Sequence, residues 1–260
     1  MGRLLILSRY FIPGFKGGGP IRSVFGVTLL VSKRFDIRII TSDRDIGDTK
    51  PYETIVPNSW KENKELNAYI YYSSKHSYFR ELIASVRKSD IVYLNSFFDA
   101  SFSIIPFVVS ISMGKNIVLA PRGEFSPGAL QLKAGKKKVY IWMFKFLGLQ
   151  RIPVWHATSS EEMELIYEVL GREVEVVMAS NISSPPEAVS ARRITKNTGE
   201  LSLFFLSRIC RKKNLTFALE TLKEAKGNIE FKIYGPIEDE KYWRECLAIV
   251  ENLPKNIHVV

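Results

Sequence analysis

The chain has 260 residues, of which 46% are hydrophobic and 25% are charged, and its formal net charge is +10. This composition is typical of a globular protein, and the length allows more than one domain. The positive charge favours anionic partners, namely nucleic acid, an acidic membrane surface or phosphorylated small molecules. Much of the excess lies in residues 115–151, where eight basic residues accompany a single acidic residue, Glu124.

The termini and cysteines indicate a cytoplasmic protein. The apolar run near Met1 is too short for a signal peptide, and the longest apolar run, 102–113, is shorter than the roughly 18 residues of a membrane span. Cys210 and Cys246 have no CxxC spacing and no neighbouring histidine cluster, which speaks against a disulfide framework or a zinc site.

In chain order, short β-branched runs alternate with helical patterns, which predicts strand-helix-strand units around parallel sheets. The predicted strands of the first region are 3–7, 37–41, 68–72, 91–95, 117–120, 155–158 and 175–178. The predicted helices between them are 20–33, 79–88, 100–113, 137–147 and 160–170. Together they predict a first domain over residues 1–182.

A polar, proline-containing stretch then predicts a linker over residues 183–199. The alternation restarts in 200–260, with strands at 201–206, 229–234 and 257–260 and helices at 215–225 and 239–253. A unit of this size is marginal for independent stability. We therefore expect the second domain to be incomplete, through a C-terminal truncation.

Three consecutive glycines, Gly17, Gly18 and Gly19, separate the first predicted strand from a helix that begins near Pro20. The segment lacks the Lys-Ser/Thr ending of a P-loop and the last glycine of GxGxxG. Bare amides at a helix N-terminus still suit an anion or a substrate pressed against the backbone, and open α/β sheets bind ligands at this edge. The alternative interpretation is a flexible connector.

A second basic loop follows the strand at 201–206. Arg208 and Lys213 lie five residues apart there, and Asn214 or Thr216 is placed to cap the next helix. Two cations beside a helix N-terminus suit a diphosphate group. A solvated basic surface is the alternative.

Four segments, GFKGGGPIRS, APRGEFSPGAL, FLSRICRKKN and IYGPIEDEKYW, together resemble the family 4 glycosyltransferases of group 1 type. The resemblance implies the α/β GT-B fold, with two Rossmann-like domains of parallel sheets facing across a cleft. The first would be the acceptor-side domain, and 200–260 would be part of the nucleotide-sugar donor domain. It also implies a retaining sugar transfer without a catalytic metal or a cofactor.

The resemblance also implies roles for individual residues. Gly17, Gly18 and Gly19 match the loop that closes on donor and acceptor, and Arg208 and Lys213 match the pair that grips the donor diphosphate. Arg122, in PRGEF, takes the place of a residue near the reacting sugar that is often histidine, which makes it the catalytic candidate. The further candidates in or near these motifs are Gly123, Glu124, His156 and Gly235.

Three features allow two interpretations each. Asp43 and Asp45 form a DxD, which can bind a metal, but a solvated loop is favoured for them. His156 could take part in acid-base chemistry or could be a satisfied core or cleft residue. The segment 133–148 joins lysines to an aromatic run, so it is either a membrane-surface helix or a core helix with a charged end.

The expected function is transfer of a sugar from a UDP- or GDP-linked donor to a saccharide or lipid-linked acceptor in surface polysaccharide or lipopolysaccharide biosynthesis. The expected location is the cytoplasm, with a peripheral position on the anionic inner face of the plasma membrane as a further option. The resemblance places the family's Glu-x7-Glu carboxylates further along the second domain, and we expect the chain to end before that motif. The alternative is therefore a truncated, non-catalytic binding module. Nucleic-acid binding is disfavoured because no recognisable binding pattern occurs.

Overall fold

The computed structural model describes residues 1–74, 77–182 and 197–260. The chain forms two compact units, Met1–Pro186 and Glu187–Val260. Most of the predicted linker, residues 183–196, lies outside the described residues. The predicted domain boundaries within that segment therefore stay a prediction.

The first unit contains an eight-stranded sheet in the order β3-β4-β2-β1-β5-β6-β7-β8. All neighbouring strands are parallel except β3 and β4, which are antiparallel. The strands are β1 (Gly2–Leu7), β2 (Phe35–Ser42), β3 (Trp60–Asn63), β4 (Ala68–Ser73), β5 (Ile91–Leu94), β6 (Asn116–Leu119), β7 (Val154–Ala157) and β8 (Val176–Met178).

Six helices accompany this sheet: α1 (Gly19–Val31), α2 (Tyr78–Lys88), α3 (Ile105–Ser112), α4 (Pro127–Gln131), α5 (Ala134–Phe146) and α6 (Ser160–Leu170). A π-helical turn, Ala100–Ile104, precedes α3, and a 3-10 turn, Leu149–Arg151, follows α5. No helix in the described ranges is long and apolar enough to cross a membrane.

The sheet is buried on both faces. Leu5 and Leu7 belong to one core cluster, whereas Leu4 and Ile6 belong to the other, because successive side chains of a strand point to opposite faces. Helix α1 contributes Ile21 and Val24 to the second cluster. Helices α2, α3, α5 and α6 cover the first cluster, in which Phe97 lies 5.0 to 5.7 Å, centroid to centroid, from the rings of Phe125, Phe144 and Trp155.

The strand order changes direction at the centre of this sheet. From β1 the chain crosses to β2 on one side, and from β5 it crosses to β6 on the other side. Such a switch point leaves a crevice at the carboxyl ends of the two central strands. Asn95 and Ser8, which follow β5 and β1, meet there with a hydrogen bond of 3.3 Å from Nδ2 to Oγ.

The second unit has three parallel strands in the order β11-β10-β9. These are β9 (Glu200–Leu206), β10 (Asn228–Tyr234) and β11 (Ile257–Val259), and they pack with α7 (Leu215–Leu222) and α8 (Glu240–Val250). A 3-10 turn, Arg211–Lys213, precedes α7. The α/β class with parallel sheets is confirmed.

The sequence patterns place most elements within a few residues, but they do not predict the short helix α4. They miss β3, whose sequence WKEN has two charged residues and no apolar run. They begin α5 at residue 137, whereas the helix begins at Ala134, after Lys133 in a left-handed conformation. The predicted helix at 100–113 is also divided into a π-helical turn and α3.

Candidate functional site

The glycine loop ends at α1, and its three glycines are subject to different structural constraints. Gly18, the N-cap residue, has φ 61° and ψ −122°, a conformation in which other residues are strained. A Cβ on Gly17 would lie 2.9 Å from Cδ1 of Ile21, whereas a Cβ on Gly19 would meet nothing within 4 Å. Only Gly18 therefore needs glycine for its backbone.

The N-terminus of α1 presents amides that the described residues do not use. The N-cap has no side-chain hydrogen bond, Pro20 has no N–H, and no acceptor within the described ranges bonds the amides of Gly19 and Ile21. Unpaired amides at a helix N-terminus carry partial positive charge and attract anions.

Asp45 fixes the start of this loop from the loop that follows β2. One of its carboxylate oxygens accepts the N–H groups of Phe15 and Lys16 at 2.7 and 3.0 Å, and the other accepts the N–H of Ile46 at 2.8 Å. Asp43 forms an ion pair with Arg44. Because both aspartates are buried, the prediction of a solvated loop for the DxD is wrong. Asp45 instead holds the glycine loop in place.

Arg122 occupies a tight turn after β6 and makes three hydrogen bonds. It has φ 53°, and Gly123 has φ 75°. Its Nε donates to Oδ1 of Asn95 at 2.7 Å, Nη1 to Oδ1 of Asn181 at 2.8 Å, and Nη2 to the Tyr93 hydroxyl at 2.6 Å. No described carboxylate lies within the 4.0 Å of an ion pair. The guanidinium is thus held by neutral groups and keeps its charge for a ligand.

His156 lies behind Arg122 in the same network. Nδ1 of His156 lies 2.8 Å from the Tyr93 hydroxyl, and Nε2 lies 2.8 Å from the carbonyl oxygen of Ala179. The hydrogen bonds are consistent if Arg122 donates to Tyr93, Tyr93 donates to Nδ1, and Nε2–H donates to the carbonyl. Burial lowers the pKa of His156 and raises the pKa of Tyr93 to about 12. The neutral imidazole orients Tyr93 beneath the arginine.

Glu162 supports the turn from the other side. Its Oε1 accepts the N–H of Gly123 at 2.6 Å, and its Oε2 accepts the N–H and the hydroxyl of Thr158 at 2.8 and 2.5 Å. Ser159 caps α6 by accepting the N–H of Glu162 at 3.2 Å. A buried carboxylate with three donors holds the Arg122 turn against the N-terminus of α6.

Glu124, a site candidate from the sequence, has a different position. One oxygen accepts the Ser96 hydroxyl at 2.7 Å, and the other accepts the amides of Phe97 and Phe98 at 2.6 and 3.1 Å. Burial raises the pKa of this carboxyl, against the hydrogen bonds that lower it. Glu124 therefore ties the turn to the segment after β5.

A pocket of about 380 Å³ gathers these parts of the first unit. It is lined by Gly19, Pro20 and Ser23 of α1, by Arg122 and Gly123, and by Thr158, Ser159, Glu161, Glu162, Leu165 and Asn181. Two helix N-termini and a guanidinium thus border one opening, while the exposed Glu161 adds a negative charge at its edge. The uncapped α1 N-terminus and the guanidinium can hold a negatively charged or strongly polarised oxygen, whereas the α6 N-terminus is already capped by Ser159.

The structure thus brings Gly19, Arg122 and Gly123 of the sequence-predicted set into one pocket and connects His156 to Arg122 through Tyr93. Sequence reasoning missed Asn95, Tyr93, Asn181 and Glu162. Asn95 could have been found because it ends a central strand. The Ser-x-x-Glu spacing of Ser159 and Glu162 predicts the cap of α6, but it does not predict the hydrogen bond from Gly123 to Glu162.

The second unit presents its candidate cations on an exposed surface. Nη1 of Arg208 lies 3.0 Å from Oε2 of Glu238, and both side chains are about half exposed, at 45% and 50%. Lys213 ends the 3-10 turn, is exposed and has no ion pair within the described ranges. Because both side chains are exposed, Arg208 and Lys213 can contact an anion from solvent without a rearrangement of buried structure.

Two backbone features fix this surface. Gly235 has φ 152°, and a Cβ there would lie 1.9 Å from the carbonyl oxygen of Ser207, so the loops after β9 and β10 touch only because residue 235 is glycine. The N–H of Thr216 donates to the Tyr242 hydroxyl at 3.0 Å. Asn214, one of the two predicted candidates, is the N-cap residue of α7, but its side chain makes no cap hydrogen bond, and Tyr242 satisfies the amide of Thr216.

No protein-family model and no curated protein matches the sequence. Solved structures do match its fold. Anabaena HepE, in complex with UDP and glucose, has a TM-score of 0.65 and 10% identity, over 100% of this chain and 69% of that chain. Sucrose-phosphate synthase from Thermosynechococcus elongatus has a TM-score of 0.64 and 11% identity, over 100% of this chain and 70% of that chain.

A glycosyltransferase from Rickettsia africae has a TM-score of 0.55 and 11% identity, over 100% of this chain and 68% of that chain. Identities this low carry information about fold alone. The fold is that of the GT-B glycosyltransferases, which confirms the predicted fold class.

Proposed function

We propose that this protein is a glycosyltransferase that moves a sugar from a nucleoside-diphosphate donor to a saccharide or lipid-linked acceptor. The observation that carries the proposal is Arg122, a cation held by three neutral partners at the edge of a pocket bordered by two helix N-termini. The GT-B fold supports it, as does the fact that Anabaena HepE binds UDP and glucose.

The proposed chemistry needs stabilisation of a leaving group. The bond between the anomeric carbon and the diphosphate oxygen breaks, and its electron pair leaves with the nucleoside diphosphate. The acceptor oxygen forms the new bond to the same carbon, and its proton passes to the departing diphosphate oxygen. A fixed cation stabilises the negative charge that develops in this step more than it stabilises the bound donor. We assign that role to Arg122.

We assign donor binding to the second unit and substrate positioning to the glycine loop. Arg208 and Lys213 would contact the diphosphate, with Arg208 exchanging its exposed carboxylate partner, Glu238, for phosphate oxygens. The unused amides of Gly19 and Ile21 would donate to substrate oxygens at the α1 N-terminus.

The finer parts of the proposal follow the sequence resemblance. They are membership of family 4, group 1 type, retention of configuration, a UDP- or GDP-linked donor and no metal or other cofactor. The proposed setting is surface polysaccharide or lipopolysaccharide biosynthesis at the inner face of the plasma membrane.

Nucleotide binding tests the donor assignment. Calorimetry with UDP and GDP should show binding to the unchanged chain, and Arg208→Ala with Lys213→Ala should weaken it about tenfold or more because two charge-assisted contacts are lost. The matched control is Lys212→Ala, an exposed lysine on the same 3-10 turn, which should leave affinity within about twofold. Equal weakening in both proteins would contradict the assignment of Lys213.

Release of nucleoside diphosphate from a panel of UDP- and GDP-linked sugars tests the reaction itself. Turnover with a saccharide acceptor is the expected result. Binding of nucleotide without turnover on any donor would favour the alternative, a non-catalytic binding module. Failure to bind UDP or GDP at all would contradict the proposal as a whole.

A further inference from the structure

Helix α5 of the first unit is apolar on two sides. Its inner side enters the core, where Phe144 is 2% exposed and its ring lies 5.0 Å from that of Phe97 and 5.2 Å from that of Phe107. Its outer side bears Val139, Trp142 and Phe146, which are 65%, 64% and 73% exposed. A surface helix normally has one apolar stripe and a polar opposite face. The outer face of α5 is therefore available for a contact outside this unit.

The outer apolar residues form one continuous strip. Val139, Trp142 and Phe146 are spaced three and four residues apart, which places them on one side of the helix. The rings of Trp142 and Phe146 stack with centroids 5.3 Å apart and an interplanar angle of 15°. Leu132 before the helix and Leu147 after it are also exposed, at 69% and 58%. The stacked tryptophan and phenylalanine and the leucines beside them form a continuous exposed apolar surface of the kind that marks an interaction site.

Positive charge surrounds this strip. Lys133, Lys136 and Lys138 are exposed and form no ion pair with any residue that the structure describes. Lys145 is exposed, and its Nζ donates to the carbonyl oxygen of Val169 at 3.0 Å. No acidic residue occurs from 125 to 160, and the partly buried carboxylate of Glu124 accepts hydrogen bonds from the segment after β5. The whole surface is apolar and cationic.

We propose that the outer face of α5 docks on an anionic lipid membrane. An interfacial helix places Trp, Phe and Val among the lipid headgroups and upper chains, while its lysines extend toward anionic headgroups. A second copy of this chain is a poorer occupant. A two-fold interface would bring the unpaired lysines of one α5 against the same lysines of the other.

The inference does not depend on the proposed sugar transfer. Docking through α5 needs no nucleotide sugar, so it can be measured on the chain alone. Helices α4 and α5 directly follow the Arg122 turn in the chain. A docked α5 would therefore hold the unit that carries Arg122 at the membrane surface, where a lipid-linked acceptor resides.

Vesicle flotation tests the proposal. The unchanged chain should float with vesicles of phosphatidylcholine and phosphatidylglycerol and should bind pure phosphatidylcholine vesicles much more weakly. Trp142→Gln with Phe146→Gln should weaken binding to the anionic vesicles by about tenfold or more because the buried apolar area is lost. Lys136→Glu with Lys138→Glu should also weaken binding to the anionic vesicles by about tenfold or more. The binding that remains should be insensitive to salt.

Matched variants control for charge and apolar area. Lys61→Glu with Lys64→Glu makes the same charge change on an exposed surface elsewhere, and Phe79→Gln with Phe217→Gln removes two exposed rings elsewhere. Both should keep vesicle affinity within about twofold. Thermal melting should show that all four variants stay folded, since every changed residue is exposed.

Three results would overturn the proposal. One is equal binding to neutral and anionic vesicles. Another is an equal loss of affinity in the α5 variants and their controls. The third is a chain that forms dimers, that becomes monomeric on substitution of Trp142 and Phe146, and that does not bind vesicles.

Discussion

The two units hold their candidate cations in opposite ways. Arg122 in the first unit is bound by three neutral side chains, and its turn is fixed by the buried carboxylate of Glu162. Arg208 in the second unit is half exposed and paired with an exposed glutamate, and Lys213 has no ion pair in the described part of the chain. A fixed cation can stabilise charge without reorganising, whereas an exposed one is suited to exchanging partners as ligands arrive and leave.

The difference follows from how much structure stands behind each loop. The Arg122 turn lies at the carboxyl end of β6, in an eight-stranded sheet with a core on each face. Residues from the segments after β5, β7 and β8 form hydrogen bonds in the network around this turn. The Arg208 loop lies on a three-stranded sheet and is held by the backbone contact at Gly235 and a hydrogen bond from the N–H of Ile209 to the carbonyl of Pro236 at 2.9 Å.

The largest effect is expected at Arg122. Arg122→Ala should lower sugar transfer by about 10²- to 10³-fold, since it removes a prearranged charge from the developing transition state. Affinity for UDP should fall by much less than turnover, because UDP carries the charge that Arg122 stabilises but its main contacts are assigned to the second unit. Steady-state kinetics measures the loss of turnover, and calorimetry measures the affinity for UDP. Arg151→Ala, at an exposed arginine, is the control, and an equal loss of turnover there would remove Arg122 from the mechanism.

A second prediction compares the carboxylates that serve the two cationic loops. Glu162→Gln places an amide N–H₂ against a donor in a buried site, so the free energy of unfolding should fall by about 2 to 3 kcal/mol. Glu238→Gln breaks only an exposed ion pair and should change the free energy of unfolding by less than about 1 kcal/mol. Urea denaturation gives both values. Equal losses would mean that the two loops are supported equally.

The glycine loop gives a smaller effect that distinguishes its members. Gly18→Ala forces a side chain into a left-handed backbone and should lower the free energy of unfolding by about 1 to 3 kcal/mol. Gly19→Ala meets open space at the first position of a helix and should leave stability unchanged or raise it by about 0.4 to 1 kcal/mol. Thermal denaturation of both variants is the measurement, and identical melting temperatures would refute the distinction.

Local sequence patterns predict the fold well here because the strands are buried on both faces and the helices between them are amphipathic. They also predict the Arg122 turn and the glycine loop, which are contiguous in sequence. The partners of Arg122 could not be predicted in this way. Tyr93 and Asn95 belong to β5 and the residue after it, whereas Asn181 follows β8. They meet Arg122 only because of the order and register of β5, β6, β7 and β8.

Asp43 and Asp45 were predicted wrongly for the same physical reason. Polar residues after a strand are usually solvated, but the segment at Phe15 and Lys16 covers this loop and supplies donors from about thirty residues away in the chain. The outer face of α5 poses the converse problem. The sequence does not distinguish its apolar residues from core residues. The distinction requires knowing which side of the helix packs against the rest of the unit.

The smallest expected effect is a change in pH dependence caused by His156. Burial lowers its pKa from the ordinary value of 6.5, so below that value the unfolded chain binds a proton that the folded chain does not. The contribution of His156 to stability is therefore complete above about pH 6.5 and is lost as the pH falls toward the lowered pKa of the folded state.

Replacing this histidine should flatten the pH profile. His156→Gln keeps an acceptor for Tyr93 but cannot titrate, so its stability should fall less than that of the unchanged chain between about pH 7.5 and about pH 5.5. Burial raises the pKa of Glu124, which acts in the opposite direction, but this carboxyl is present in both proteins and cancels in the difference. Urea midpoints measured at both pH values give the two slopes. Parallel slopes would show that His156 is not held neutral behind Arg122, and the fixed orientation of Tyr93 would then need another cause.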